Sequence, residues 1–291
     1  KEEDFEYGEW QTGIKLTNLN NIIEQKKYLP IPIIRVIMKQ ILEGLRLMLE
    51  QGLFHRNIKE QNILLHSPIG SNSVQIKISD FNLVKAKNDD KKTTVTTVAG
   101  NLPFMPPELL LGANEEGDQT KADSKVDIWA SGIILHHLVA HCFPFKSTNL
   151  LAINKFMKSQ RLDRPITIKD NIVWDLITKL LTFDQKKRIS ASDALNHPFF
   201  TGAQAIKEIS PLSIQLAQTA QQAKQKGDKS VTIYDVEPSF SLHINEIKDI
   251  VNRNPEVEMA EIQKQLKQSS SSKFVQFNHQ THKNKKEYQK K

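Results

Sequence analysis

The 291 residues carry a net charge of +7, 38% hydrophobic residues and one cysteine; Cys142 alone excludes an internal disulfide framework and suits a reducing compartment. The excess charge lies in residues 264–291, which hold eight Lys and one Glu, so residues 1–263 are neutral overall and a nucleic-acid-binding domain surface is not supported. The longest apolar run, "IWASGIILHHLVAHCFPF" at 128–145, is broken by three His and a Pro and reads as a buried helix too polar to span a membrane.

Residues 1–13 are acidic and aromatic without clear period, and residues 1–17 read as a hinge remnant or linker. The chain begins at Lys1 with no apolar signal segment after it, the expectation for a piece cut from a longer protein. "NLNNIIEQK" at 18–26 predicts a short helix. Residues 31–52 place Ile34, Ile37, Met38, Ile41, Leu42, Leu45 and Leu49 at helical spacing, and Gly52 is the expected stop. "NILLH" and "VQIKISD" predict two short strands around the turn-forming "SPIGSNS". Residues 86–107 read as a long polar loop, 125–142 as the buried helix, and 149–158, 171–182 and 190–196 as further helices. The last opens on a Ser N-cap in "SASDAL" and stops at "HPFF".

Beyond Thr201 the texture changes. "SIQLAQTAQQAKQ" predicts a weakly amphipathic helix, "SVTIYDV" a short strand, and "INEIKDIV" and "EVEMAEIQKQLKQ" short helices separated by Pro255. Residues 202–268 thus form a helical extension. Residues 269–291, rich in Ser, Gln and Lys, are expected to be disordered unless bound.

Five motifs stand in order: "HRNIKEQN" at 55–62, "SDFN" at 79–82, "GNLPFMPPE" at 100–108, "KVDIWASGIIL" at 125–135 and "RISASDALNHPFF" at 188–200. Together they resemble the C-terminal lobe of the eukaryotic protein kinase family over residues 18–201. The resemblance implies a mainly α, kinase-like lobe with short β-hairpins at the catalytic and metal loops and an irregular C-terminal extension. It also implies serine/threonine kinase ancestry.

The resemblance assigns each motif a job. The catalytic-loop carboxylate that receives the acceptor hydroxyl is replaced by Asn57, and the Thr usual at 101 is Asn. An amide can hydrogen-bond but cannot take a proton at neutral pH. Base and positioning effects are typically worth roughly 10²–10⁴ in rate, so Asn57 points to a pseudokinase. Asn57 and Asn101 are expected to pair with each other. Lys59 is the expected phosphate-facing charge. Asn62 and Asp80 are the Mg²⁺ and ATP positions, or else hydrogen-bond braces between two loops. Glu108 and Arg188 are the expected buried ion pair. Asp127 is the expected acceptor for the catalytic-loop backbone, with His55 and Phe81 stacked in the core beneath it. Arg56 either pairs with a phosphate on Thr93, Thr94, Thr96 or Thr97 or stands unpartnered.

The first 30 residues contain no G-x-G-x-x-G and no V-A-I-K-like run. A phosphate-covering N-terminal lobe therefore either lies beyond this sequence or does not exist. No cofactor is expected without it, and Mg-ATP with it. His136, His137 and His141 have no carboxylate or cysteine at matching spacing, so no metal site is expected there; His279 and His282 are expected to face solvent.

Three functions follow. One is a pseudokinase scaffold or docking subunit of a larger assembly, the 264–291 tail gripping an acidic protein surface such as a cytoskeletal or ciliary one, in the cytoplasm and without membrane or nucleic acid. The second is an active serine/threonine kinase whose N-terminal lobe is elsewhere. The third is a sensor kinase-ribonuclease, mildly resembled by "IKISDFNLVK", "SGIILHHLVAHCFPFK" and "HPFF". Residues 203–268 lack the His, Tyr and Arg cluster that family implies.

Overall fold

The computed structural model describes residues 13–26, 28–68, 71–86, 102–112 and 124–247. Two helices form the centre. Helix α2 (Ile31–Glu50; α1 is Leu19–Glu24) starts behind Pro30 and buries Ile34, Ile37, Met38, Ile41, Leu42 and Leu45 along one stripe. It ends where Gly52, at φ 71°, donates to the Leu49 carbonyl at 2.9 Å, a left-handed stop that glycine makes without steric cost.

The stripe of α2 packs on α4 (Ser124–Ala140), which is apolar on nearly every side and buried throughout most of its length; α3 is the short helix Pro107–Gly112. Full burial of a Leu- or Ile-sized side chain contributes roughly 1.5–3 kcal/mol, so this contact contributes substantially to stability. Helix α4 also packs on α6 (Asn171–Leu180). At Gly132 the approach is so close that an added Cβ would stand 2.8 Å from Leu180 Cβ. Helix α5 (Leu150–Ser159) caps the adjoining aromatic cluster, and α7 (Ala191–Leu195) and α8 (Pro198–Thr201) close the base against α2. Side-chain caps hold four of these starts: Asn149 on α5, Asp170 on α6, Ser190 on α7 and His197 on α8.

Strands occupy one end. β1 (Gly13–Asn18), β3 (Ile63–Pro68) and β4 (Gln75–Ile78) form an antiparallel sheet in the order β1-β3-β4, with Ile63 opposite Ile78. β2 (Leu53–Phe54) pairs with β5 (Lys85–Ala86). Residues 13–17, read from sequence as hinge remnant or linker, lie in strand β1; the pairing with β3 is nonlocal and leaves no mark on the local pattern.

The chain past Thr201 folds back on the same body. Helices α9 (Ala203–Lys207) and α10 (Pro211–Gln225) lead to a strap over 237–247. Arg35 of α2 donates to the Phe199 carbonyl at 2.6 Å and pairs with Glu208 at 2.8 Å. Tyr234 donates to Glu43 at 2.6 Å, and Gln40 donates to the Phe240 carbonyl at 2.7 Å. The strap then bonds the β3–β4 turn: Val74 N to Leu242 O and Ile244 N to Asn72 O, both 2.7 Å. The described extension is thus two helices followed by turns and a hydrogen-bonded strap. The expected strand at 230–236 is a series of turns, because Asp235 accepts from both Thr232 N and Thr232 Oγ1, at 2.8 and 2.6 Å. Local side-chain bonding of this kind competes with ladder formation. No helix among the described residues is long and apolar enough to cross a membrane.

Candidate active site

The loop between β2 and β3 is bedded on the start of α4. Asp127, 4% exposed, accepts from His55 N at 2.8 Å and Arg56 N at 2.7 Å. Those two bonds fix the loop over the helix and leave Arg56 at φ 64°, a left-handed conformation for a residue with a full side chain; such conformations cost on the order of 1–3 kcal/mol and cluster where geometry matters. Arg56 is half-buried: burial lowers its pKa, and the Asp127 carboxylate opposes that shift. His55 is fully buried, and burial pulls its pKa down to about 4, against the Ser79 backbone and Asp80, so it is neutral at physiological pH.

Phe81 meets His55 edge-on with ring centroids 5.1 Å apart, but its side is 54% exposed. The expected core stack is therefore only half made. His55 is in the core, while Phe81 lies in a three-residue 3₁₀ turn (Phe81–Leu83) among exposed and half-buried residues.

At the mouth, three side chains converge. Asn57 Nδ2 donates to Asp80 Oδ2 at 2.6 Å, and Asn62 Nδ2 donates to the Asn57 carbonyl at 2.8 Å and stands 3.4 Å from the same Asp80 oxygen. The acceptors decide which end of each amide faces inward. A carbonyl and an ionised carboxylate only accept, so each must meet an NH₂. Asp80 is held in place by its own left-handed backbone, φ 68° and ψ 69°, and Ser79 N binds the Asn62 carbonyl at 2.9 Å, tying the two loops together. Lys59 is half-buried beside this group, on the same loop. Asn101 and Thr93, Thr94, Thr96 and Thr97 lie outside the described residues, so the expected Asn57–Asn101 and Arg56–phosphate pairings lie outside them too. The Asn57 amide nitrogen faces Asp80.

The oxygens at the mouth that suit a cation include those of Asp80 and Asn62 Oδ1, with Asp80 Oδ2 already accepting the Asn57 amide. Mg²⁺ binds through one or two carboxylates, waters and substrate phosphates, so Asp80 and Asn62 would hold it here, with one negative charge between them. When bound, the ion would neutralise phosphate charge.

Below the mouth, Arg188 forms a fork with Glu108, at 2.8 and 2.9 Å, with its side chain 0% exposed. It also donates to Thr182 O at 3.0 Å and Lys125 O at 2.7 Å and lies over the Trp129 ring at 5.0 Å.

One contact escaped the sequence. His137 Nδ1 is 2.8 Å from Glu60, a carboxylate only 3% exposed. Spacing along the helix could not reveal it, because Glu60 arrives from the catalytic loop. His136 instead bonds the Cys142 carbonyl at 2.8 Å, and burial lowers its pKa to about 4. His141 packs against Tyr28 with centroids 3.9 Å apart and ring planes tilted by 54°. The three imidazoles thus have three different partners, and among the described residues no group of three or more His, Cys, Asp and Glu could hold a metal ion.

A catalytic-type loop clamped to a buried central helix, crossed by a second loop bearing Asp80 and underpinned by a buried Glu–Arg fork, defines the protein-kinase class of fold. The chain belongs to the eukaryotic protein kinase family: the description "Protein kinase domain" matches residues 9–200. Similar proteins include the serine/threonine-protein kinase cds1 of Schizosaccharomyces pombe, 35% identical over 170 residues, covering 56% of this chain and 35% of that protein. The probable serine/threonine-protein kinase fhkC of Dictyostelium discoideum is 34% identical over 170 residues, 57% of this chain and 27% of that protein. Calcium-dependent protein kinase 4 of Plasmodium falciparum is 34% identical over 181 residues, 61% of this chain and 32% of that protein. The chain therefore spans about a third of the length of these relatives.

Proposed function

We propose that this chain is the C-terminal lobe of a serine/threonine-type protein kinase silenced at Asn57, and that it serves as a docking or scaffolding part of a larger assembly. One observation carries the reading. Where phosphoryl transfer needs a carboxylate able to accept the substrate hydroxyl's hydrogen bond, the chain offers an amide whose NH₂ is engaged with Asp80 at 2.6 Å. The bond leaves the position neutral and internally satisfied. The fold supports an exposed surface role: the loop bedding and the Glu108–Arg188 fork are intact. The eight lysines of the 264–291 tail supply the charge for an acidic protein partner, whose binding should weaken as salt screens it.

The test is transfer of labelled phosphate from Mg-ATP to peptide acceptors by the 291-residue chain. No transfer above background is expected. Turnover at roughly 1–100 s⁻¹, ordinary for kinases, abolished by Asn57→Ala, would overturn the reading.

The second reading, an active serine/threonine kinase whose N-terminal lobe lies beyond this sequence, is favoured by the retention of Lys59, Asn62 and Asp80 and by the names of the relatives. It predicts that the chain gains transfer when joined to sequence carrying a Gly-rich loop and a strand lysine. The silenced reading predicts none until Asn57 is also replaced by Asp.

A further inference from the structure

We propose that Asn57 is a cation-excluding residue: its amide occupies one of the two Asp80 oxygens on which a divalent ion would depend. This deepens the reading of a silenced site, since it rests on the same substitution but concerns a different property. The silenced reading concerns a missing proton acceptor; this one concerns a blocked metal seat.

Three observations converge. Asp80 Oδ2 receives the Asn57 amide at 2.6 Å and has the Asn62 amide nitrogen at 3.4 Å. Both approaching atoms are N–H donors, and a donor hydrogen cannot ligate a cation. The left-handed backbone of Asp80, at φ 68° and ψ 69°, sets its Cβ beside the catalytic loop, where its carboxylate meets the Asn57 amide. The Asn62 nitrogen is pinned to the Asn57 carbonyl at 2.8 Å, so Asn62 cannot swing in to replace the lost oxygen. A cation reaching Asp80 Oδ2 must compete with the amide hydrogen already bound there.

An acid at position 57 would behave in the opposite way. Two carboxylates separated by 2.6 Å repel, and a proton or a divalent cation between them relieves the repulsion. The amide supplies the same relief from inside the chain. The mouth is therefore at rest without any ion, which is the state a binding module can keep at every cation concentration.

The probe is Mn²⁺, followed by its paramagnetic signal and by the melting temperature of the 291-residue chain. Wild type should bind it weakly. Asn57→Ala frees Asp80 Oδ2 and should tighten Mn²⁺ binding roughly 10- to 100-fold, the equivalent of one hydrogen bond to a charged group. Asn57→Asp should tighten it further and make the melting temperature rise with Mn²⁺. Adding Asp80→Asn to Asn57→Ala should abolish the gain. Melting in EDTA checks that each variant folds; Asn57→Asp keeps the volume of the native side chain should the alanine form fail. Wild-type binding as tight as that of Asn57→Ala or Asn57→Asp would overturn the proposal, as would a gain that survives Asp80→Asn. The two readings fail separately. Tight Mn²⁺ binding without phosphoryl transfer sinks only the exclusion; transfer at saturating metal with weak binding sinks only the silencing.

Discussion

The floor of the site and its mouth handle charge differently. At the floor, the buried Arg188 is matched to Glu108 in a two-bond fork, and its other guanidinium hydrogens are spent on backbone carbonyls. At the mouth, a position where the family has a second acid is an amide, and Asp80 is answered by neutral donors. Floor charges serve folding, so each needs its partner inside the chain. A catalytic charge must be kept unmatched until a substrate arrives. By that standard the Asn57–Asp80 hydrogen bond gives the mouth an internal partner of the kind the floor has.

Four experiments break or sharpen this contrast. Arg188→Ala leaves Glu108 buried without its partner and should cost about 3–5 kcal/mol, read as a fall in the urea midpoint; a loss below 1 kcal/mol would remove the floor's role. Acidification acts on both regions through His55 under the mouth and His136 in α4, each with its folded pKa depressed to about 4 by burial. A depressed imidazole means that the unfolded chain takes up protons first. Stability from this source is complete above pH 6.5 and drains as pH falls toward 4, by up to on the order of 3 kcal/mol per histidine. A urea midpoint flat between pH 7 and 5 would contradict it.

Asn57→Asp places like charges together and should destabilise the metal-free protein by on the order of 2 kcal/mol at neutral pH. The loss should shrink on acidification, as one carboxyl of the pair takes a proton. A melting temperature equal to wild type in EDTA would mean that the mouth tolerates a second charge as the floor does not. The smallest effect belongs to Tyr234→Phe, which removes the hydroxyl bond to Glu43 at about 1 kcal/mol and serves as a control away from both regions.

Sequence and structure agree where the determinant is local. The seven apolar positions between Ile34 and Leu49 repeat with helical period, and α2 is there; the caps at Asn149, Asp170 and Ser190 sit where the spacing changes. What escaped depends on chain brought from afar. β1 is defined by its partner β3, Glu60 reaches His137 across 77 positions, and the β-branched 231–233 stretch lacks an edge to join. The candidate site divides the same way. The residues at the mouth are legible as a motif, but the direction in which Asn57 points is not, since it depends on the strained backbone of Asp80 on another loop. Phe81 was expected inside because the family resemblance implies it; the 3₁₀ turn carries it outward.

The strap at 237–247 changes where this protein should be cut. The family resemblance ends at residue 200, and a truncation designed from it would strip Glu208 from Arg35, Tyr234 from Glu43, and Leu242 and Ile244 from the β3–β4 turn. Such a fragment would bare an open hairpin edge and an apolar flank of α2, features that invite self-association during expression. Recombinant boundaries drawn after residue 247 keep the seam closed.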